Sequence, residues 1–211
     1  VTEKMELETT FESLVQNAED FIYQINLEGD FIFLNHQSLN KLGYQEEELL
    51  NTNSLSIVQE EYFDFVTESY KNHFRLKKAS SYFEFPIKKK DDTIIWIGQH
   101  VTNLYETGRS KRKGFLAVAR DITEKRRQEQ IIQEQQEDIT SSIQYAKRIQ
   151  VNLLPHISKI EQSFKNCFII YKPRDIVSGD FYWLERIGDI TVFSLSDCTG
   201  HGVPGSFMSL L

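Results

Sequence analysis

The sequence predicts an α+β chain in three parts, and three observations predict it. Five β-type runs fall within the first 121 residues in the order two strands, helices, three strands, not in the strict alternation with helices that a parallel sheet needs. From residue 122 to residue 154 there is neither Gly nor Pro, and Glu, Gln, Lys and Arg dominate, the composition of a long exposed helix. After Pro155 short apolar runs return around glycine-rich turns.

The elements follow in order. Residues 21–26 and 31–34 read as a hairpin around Leu27-Glu28-Gly29-Asp30, whose glycine supplies positive φ without steric cost. Helical pieces are expected over 37–42, 46–50 and 60–74. Aromatic and β-branched residues then mark strands over 82–88 and 93–103, joined by the polar turn Lys89-Lys90-Asp91-Asp92, and a last strand over 114–121. Along the long helix, Ile132, Ile139, Ala146 and Leu153 recur every seven residues and Ile143 follows Ile139 by four, which is a heptad seam. Gln136 and Gln150 occupy its intervening positions and would fix its register at some cost in stability. A parallel homodimer through residues 122–154 is the expectation. Beyond Pro155, strands are expected over 167–171, 181–185 and 190–196, with a turn at Gly188-Asp189 and a glycine-rich loop over 199–205 leading into a helix.

Composition narrows the function. The 211 residues are 40% hydrophobic, 26% charged and 12% aromatic, with 10 Gly and 4 Pro, so the chain buries real cores. A formal charge of −7 argues against nucleic acid or an anionic membrane as partner and leaves proteins and small ligands. Cys167 and Cys198 form no CxxC pair and no cluster with His, which suits a reducing cytoplasm. No apolar run nears the roughly 20 residues of a membrane helix. Val1 is not Met, and Ser209-Leu210-Leu211 falls in what reads as a helix, so both ends look cut.

The run Ile25-Asn26-Leu27-Glu28-Gly29-Asp30-Phe31-Ile32-Phe33-Leu34-Asn35, then Leu42-Gly43-Tyr44 with Glu47-Glu48-Leu49-Leu50, and the closing Arg120-Asp121-Ile122-Thr123-Glu124 resemble the PAS sensor domain. The resemblance implies a five-stranded antiparallel sheet with flanking helices over 7–121. It also implies a joint at Asp121-Ile122-Thr123 that passes strain to the helix. The ligand stays unknown. Phe21, Tyr23, Phe31, Phe33, Tyr82, Phe83, Phe85 and Trp96 either line a ligand cavity or form an ordinary core. Residues 1–166 hold no cysteine, which excludes flavin-cysteine photochemistry, and His73, the one positional candidate for a haem ligand, reads rather as a packing residue.

Two further elements carry chemistry. Val177-Ser178-Gly179-Asp180-Phe181-Tyr182-Trp183 puts a carboxylate at the start of a strand, and Ser196-Asp197-Cys198-Thr199-Gly200-His201-Gly202-Val203-Pro204-Gly205 puts one at a strand end before three glycines. With Ile143 to Gln150 and Leu153-Leu154-Pro155, they resemble the metal-dependent serine/threonine phosphatases of the stage II sporulation protein E type, a branch of the PPM family. The resemblance implies a bacterial enzyme acting on a phosphorylated protein through a two-metal site of Mn²⁺ or Mg²⁺. Asp197 would bridge the metals, the Cys198 carbonyl would be a further ligand, and Asp180 would hold a metal or its water. His201 is either a general acid for the leaving alkoxide or a residue that fixes the glycine turn. Lys172 and Arg174 either steer phosphate or are solvated turn residues. Residues 155–211 would be a truncated α/β/β/α start of that domain, with 122–154 as a coiled-coil linker, and the later acidic ligands would lie beyond Leu211, leaving this chain nearly inactive. The rival expectation is a PAS-based ligand-sensing and dimerisation module without catalysis. A PAS histidine kinase would carry a phospho-accepting His on the connecting helix, and residues 101–155 contain none.

Overall fold

The computed structural model describes residues 2–76, 78–106 and 111–210. The chain divides into two compact units, Val1–Glu129 and Gln130–Leu211.

The first unit opens with helix α1 (Thr2–Gln16), which the sequence reading did not anticipate, and continues into the hairpin β1 (Phe21–Asn26) and β2 (Phe31–Leu34), at the expected positions. Helices α2 (His36–Leu42) and α3 (Glu46–Leu49) follow. The helix expected over 60–74 is divided into a 3-10 turn, Glu60–Tyr62, and α4 (Phe63–Arg75). Strands β3 (Ser80–Lys88), β4 (Ile94–Tyr105) and β5 (Arg112–Asp121) complete one antiparallel sheet in the order β2-β1-β5-β4-β3. First and last strands therefore meet at its centre, so β5 leaves from the middle of the sheet into α5 (Thr123–Leu153).

Alternation along the strands builds the core. Ile95, Ile97, Gln99 and Val101 of β4 are buried, with Phe83, Phe85 and Ile87 of β3 and Phe115, Ala117 and Ala119 of β5, against Leu39, Leu42, Leu49 and Val66 of the helices. Asn35 ties the entry together. Its amide donates to the Val15 and Asp20 carbonyls at 3.1 Å each, while its Oδ1 accepts from the Ile22 and Ser38 amides at 3.0 and 3.1 Å, so this buried N-cap leaves no polar atom unpaired.

In the second unit, the last residues of α5 are followed by α6 (Ile157–Ser163), the hairpin β6 (Asp180–Ile187) and β7 (Ile190–Asp197), and α7 (Gly202–Leu210). Residues 167–171 form no strand, which corrects the sequence reading. An apolar run becomes a strand only when a ladder partner takes up its amides. Here Phe168 is 82% exposed and Ile170 74%, so the run is apolar without being paired. A second correction concerns Gln150. It is no seam residue, being 2% exposed and bonded within its own chain.

Candidate functional site

Two places gather the chemistry-bearing residues, one in each unit. Inside the first, Tyr23 of β1, Tyr70 of α4 and Gln99 of β4 form a closed polar triad within an apolar core. The Tyr23 hydroxyl donates to Gln99 Oε1, Gln99 Nε2 donates to the Tyr70 hydroxyl at 3.0 Å, and the two hydroxyls lie 3.4 Å apart. Burial pushes the Tyr70 phenol up to about 12 and that of Tyr23 well above its ordinary value, so both stay neutral donors across the physiological range. Sequence reading found Tyr23 but not Tyr70 or Gln99, because a lone polar residue on a helix or strand reads as surface until its partners are known.

The space beside the triad is small. A cavity of about 20 Å³, roughly one water, is lined by Phe21, Tyr23, Phe31 and Phe85 among others. Tyr70 lines it and also lines a groove of about 630 Å³ along α4 with Leu55, Lys71, Phe74, Arg75 and Phe115. Three of the aromatic positions named above belong elsewhere, Phe33 among them, since it pairs with Gln24 on the outward face of β1. Tyr82 and Trp96 alternate with buried neighbours and sit on the opposite sheet face, where Tyr82 packs on His100 and the Arg126 guanidinium lies 3.7 Å from the Trp96 ring centroid. His73 is buried on the core side, its ring against Phe115 and its Nδ1 2.8 Å from the Ser81 hydroxyl, and it lines neither the cavity nor the groove.

The exit joint is held by named bonds. The Ile122 amide donates to the Trp96 carbonyl and the Trp96 amide to Thr123 Oγ1, both at 2.8 Å, and Asp121 Oδ1 accepts from the Thr123 amide at 2.9 Å. Arg126, above Trp96, also reaches Glu84 at 2.8 Å. The first turn of α5 is therefore fastened to β3 and β4 by side chains of both.

In the second unit, Asp180 begins β6 and Asp197 ends β7, and they are direct cross-strand partners. Opposed residues share a face of the sheet, where like charges repel unless a cation lies between them. The loops behind them interlock. A Cβ on Gly179 would stand 2.6 Å from the Gly200 carbonyl oxygen and 3.0 Å from that of Cys198, so only glycine allows this approach. The Cys198 amide donates to the Gly179 carbonyl at 3.3 Å. Asp180 and Asp197 line a groove of about 770 Å³ with Lys172, Phe164, Phe168 and Trp183. Lys172 thus shares the carboxylates' groove, while Arg174 is exposed in the preceding loop and is no lining residue. Among the described residues no group of three or more His, Cys, Asp and Glu side chains converges. The oxygens present are hard donors of the kind Mg²⁺ and Mn²⁺ take.

Two residues at this site were missed. Gln150 grips the Ser178 backbone from both sides: its Nε2 donates to the Ser178 carbonyl at 2.6 Å, its Oε1 accepts from the Ser178 amide at 3.0 Å, and Nε2 also reaches Ser209 Oγ at 3.0 Å. Ser178 Oγ in turn accepts from the Asp180 amide at 3.0 Å, so α5 positions the strand start that carries Asp180. Asp175 is the other, with its Oδ2 2.8 Å from His201 Nδ1.

Residues 9–122, more than half of the chain, match the family profile of the PAS fold. The chain belongs to the PAS family. Its PAS domain is a sensor module of signal transduction, and it is similar to a PAS domain structure from Colwellia psychrerythraea, 20% identical over 56% of this chain and 98% of that one with a TM-score of 0.52. It is also similar to an RNA-binding light-oxygen-voltage receptor, 13% identical over 63% of this chain and 38% of that one with a TM-score of 0.56. These two likenesses concern the fold. A methyl sulfide methyltransferase-associated sensor of Methanosarcina acetivorans is 29% identical over 126 residues, 59% of this chain but 12% of that protein's length. Among the described residues no helix is long and apolar enough to cross a membrane.

Proposed function

We propose that the PAS domain is the input of a metal-dependent phosphoprotein phosphatase whose first metal ligands are Asp180, Asp197 and the Cys198 carbonyl. The observation that carries this reading is the pairing of Asp180 with Asp197 across the β6–β7 hairpin. A repulsive pair held by interlocked glycine loops fits a site meant for a cation better than a stabilising contact. Mn²⁺ or Mg²⁺ held there supplies charge to phosphoryl oxygens and acidity to a water. The chain's own residues do the rest. Gln150 and Ser178 set the position of Asp180, Lys172 and Arg174 attract the phosphate, and His201 gives a proton to the leaving oxygen. The stretch of α5 around Ile132 and Ile139 pairs with its copy in a parallel dimer, and a signal from the PAS core turns α5, which carries Gln150.

Two carboxylates and one carbonyl leave much of an octahedral Mg²⁺ or Mn²⁺ shell to water and substrate oxygens, so residues 1–211 should bind the metal weakly. Mn²⁺ titration followed by paramagnetic broadening of amide resonances tests this directly. Broadening centred on residues 179–181 and 196–199, abolished by Asp197→Asn, is expected. Broadening elsewhere, or none at millimolar Mn²⁺, would leave the second reading, a PAS-based sensing and dimerisation module without catalysis. That reading is favoured by the exposed stripe Leu7, Phe11 and Leu14 on α1, which offers contact surface and no chemistry.

A further inference from the structure

We propose that the groove along α4 is a binding site for a small aromatic carboxylate, whose ring lies over Phe74 and Phe115 and whose carboxylate sits between Lys71 and Arg75. The site belongs to the PAS domain and does not depend on the phosphatase reading.

Space and lining come first. The groove holds about 630 Å³ against about 20 Å³ for the cavity inside the core, so of the two only the groove has room for a ligand larger than a water. Its floor is aromatic. Phe115 is buried and Phe74 is 45% exposed, their ring centroids are 6.5 Å apart at 70°, and Tyr70 lies 5.2 Å from Phe115 at 64°. Rings set edge to face in this way offer edges and faces to a further ring, and a flat guest gains more from them than an aliphatic chain of equal area. The Arg112 guanidinium, 4.6 Å from the Phe74 centroid, holds that ring in place.

The rim carries cations that nothing neutralises. Lys71 and Arg75 stand one turn apart on α4, where like charges repel. Among the described residues neither meets a carboxylate within ion-pair distance, and the bond that Arg75 makes is to the neutral Asn72 Oδ1 at 2.5 Å. Glu28 and Glu68 also line the groove. Glu68 is seven residues before Arg75, about 10 Å along the helix axis. The end that holds Arg75 is therefore cationic, in a chain whose formal charge is −7. The demand of a helix C-terminus for positive charge does not account for this, because Arg112 Nη1 already donates to the Phe74 carbonyl at 2.9 Å and Lys71 lies before the last turn. The planar fork of Arg75 suits a carboxylate, and the Lys71 ammonium adds a point charge. Position joins the site to the signal. Phe115 pairs with Ile25 of β1, which also lines the groove, and stands on β5, the strand that runs into α5, while Tyr70 belongs to the buried triad.

The test uses 1-naphthylacetate as probe. Titrated into the 211-residue chain, it should shift the amide resonances of Leu27, Leu55, Lys71, Phe74 and Phe115. Its uncharged isostere 1-naphthylacetamide should bind about tenfold more weakly, and acetate, the head group alone, should leave these resonances unmoved. Lys71→Gln and Arg75→Gln should each weaken 1-naphthylacetate roughly fivefold or more and leave the affinity for the acetamide unchanged, with the sheet amides at their original positions. Equal binding of carboxylate and amide, shifts centred on other residues, or no shift at millimolar probe would overturn the assignment. So would shifts of Leu27 and Phe74 with protein concentration alone, which would mean that a second copy of the chain covers the groove.

Discussion

His73 is a buried base placed among groups that oppose its charge. It is 1% exposed and its Nε2 meets no partner within hydrogen-bonding geometry, while Asn103 Oδ1, also buried, is equally unpaired. Burial holds its pKa below the ordinary value, with Arg112 and Lys78 adding repulsion, against which Asn103 pulls the other way. In the unfolded chain the ring protonates near pH 6.5. The folded ring resists until lower pH, so between these values the unfolded state binds more protons and stability is lost as the pH is lowered. It is fully present above about pH 6.5 and declines below it. Urea midpoints measured at pH 7.5 and 5.5 should show the drop, and His73→Gln, which keeps a polar group for Ser81, should make the profile flatter. Equal pH dependence in both proteins would mean that other groups carry the effect. The triad gives a second residue-level expectation. Tyr70→Phe strips Gln99 Nε2 of its acceptor and should cost about 1–3 kcal/mol by chemical denaturation, whereas a cost near zero would mean that water enters to replace the hydroxyl.

At the scale of elements, the two ends of α5 are held by different chemistry. Its first turn is fastened by Thr123 and by Arg126 over Trp96 and against Glu84, a partly exposed cation–π and ion-pair clamp of the kind that contributes about 1 kcal/mol. Arg126→Ala should leave the sheet intact and speed amide exchange selectively at Ile122 and the following turn. Exchange rates equal to those of the unsubstituted chain would show that the backbone bonds suffice. Farther along, Gln150→Met should strand the Ser178 amide, leave its carbonyl only the longer bond from the Ser209 hydroxyl, and destabilise the second unit by about 1–3 kcal/mol, read from hairpin resonances that broaden while those of the PAS sheet do not. Why some of this was legible in the sequence follows from range. Strand alternation and the turn glycine are local, so β1, β2 and the cores of β3, β4 and β5 could be placed from the residues alone, as could the uninterrupted α5. Gln150 could not, because its meaning lies 28 residues away at Ser178. Asp175 and His201 are 26 apart for the same reason. Residues 167–171 misled because their apolar pattern is a strand's while the ladder partner is missing. Helix α1 was missed because Leu7, Phe11 and Leu14, spaced for a helix face, are exposed and stand among polar residues.

For the molecule as a whole, assembly depends on what covers the apolar residues of α5. Ile132 is 53% exposed and Ile139 61%, a full heptad apart, on a stretch otherwise made of Gln, Glu and Asp. Two exposed isoleucines at that spacing have little reason to persist on a solitary helix, and a parallel pair of helices would bury both against their own copies. With Gln150 engaged in its own chain, the part of the seam free to pair runs through these two residues and not to the end of the helix. In a parallel coil identical positions face each other, so a cysteine at 132 or 139 meets its own copy within disulfide reach, whereas in an antiparallel pair it does not. The experiment replaces Cys167 and Cys198 by serine and introduces Ile132→Cys or Ile139→Cys singly. Oxidation should then convert most of the chain to a covalent dimer on non-reducing gels for each variant, and a cysteine at Gln133, one position off the seam, should give much less. Equal cross-linking at 132 and 133, or none at 132 and 139, would show that the isoleucines face something other than a parallel partner.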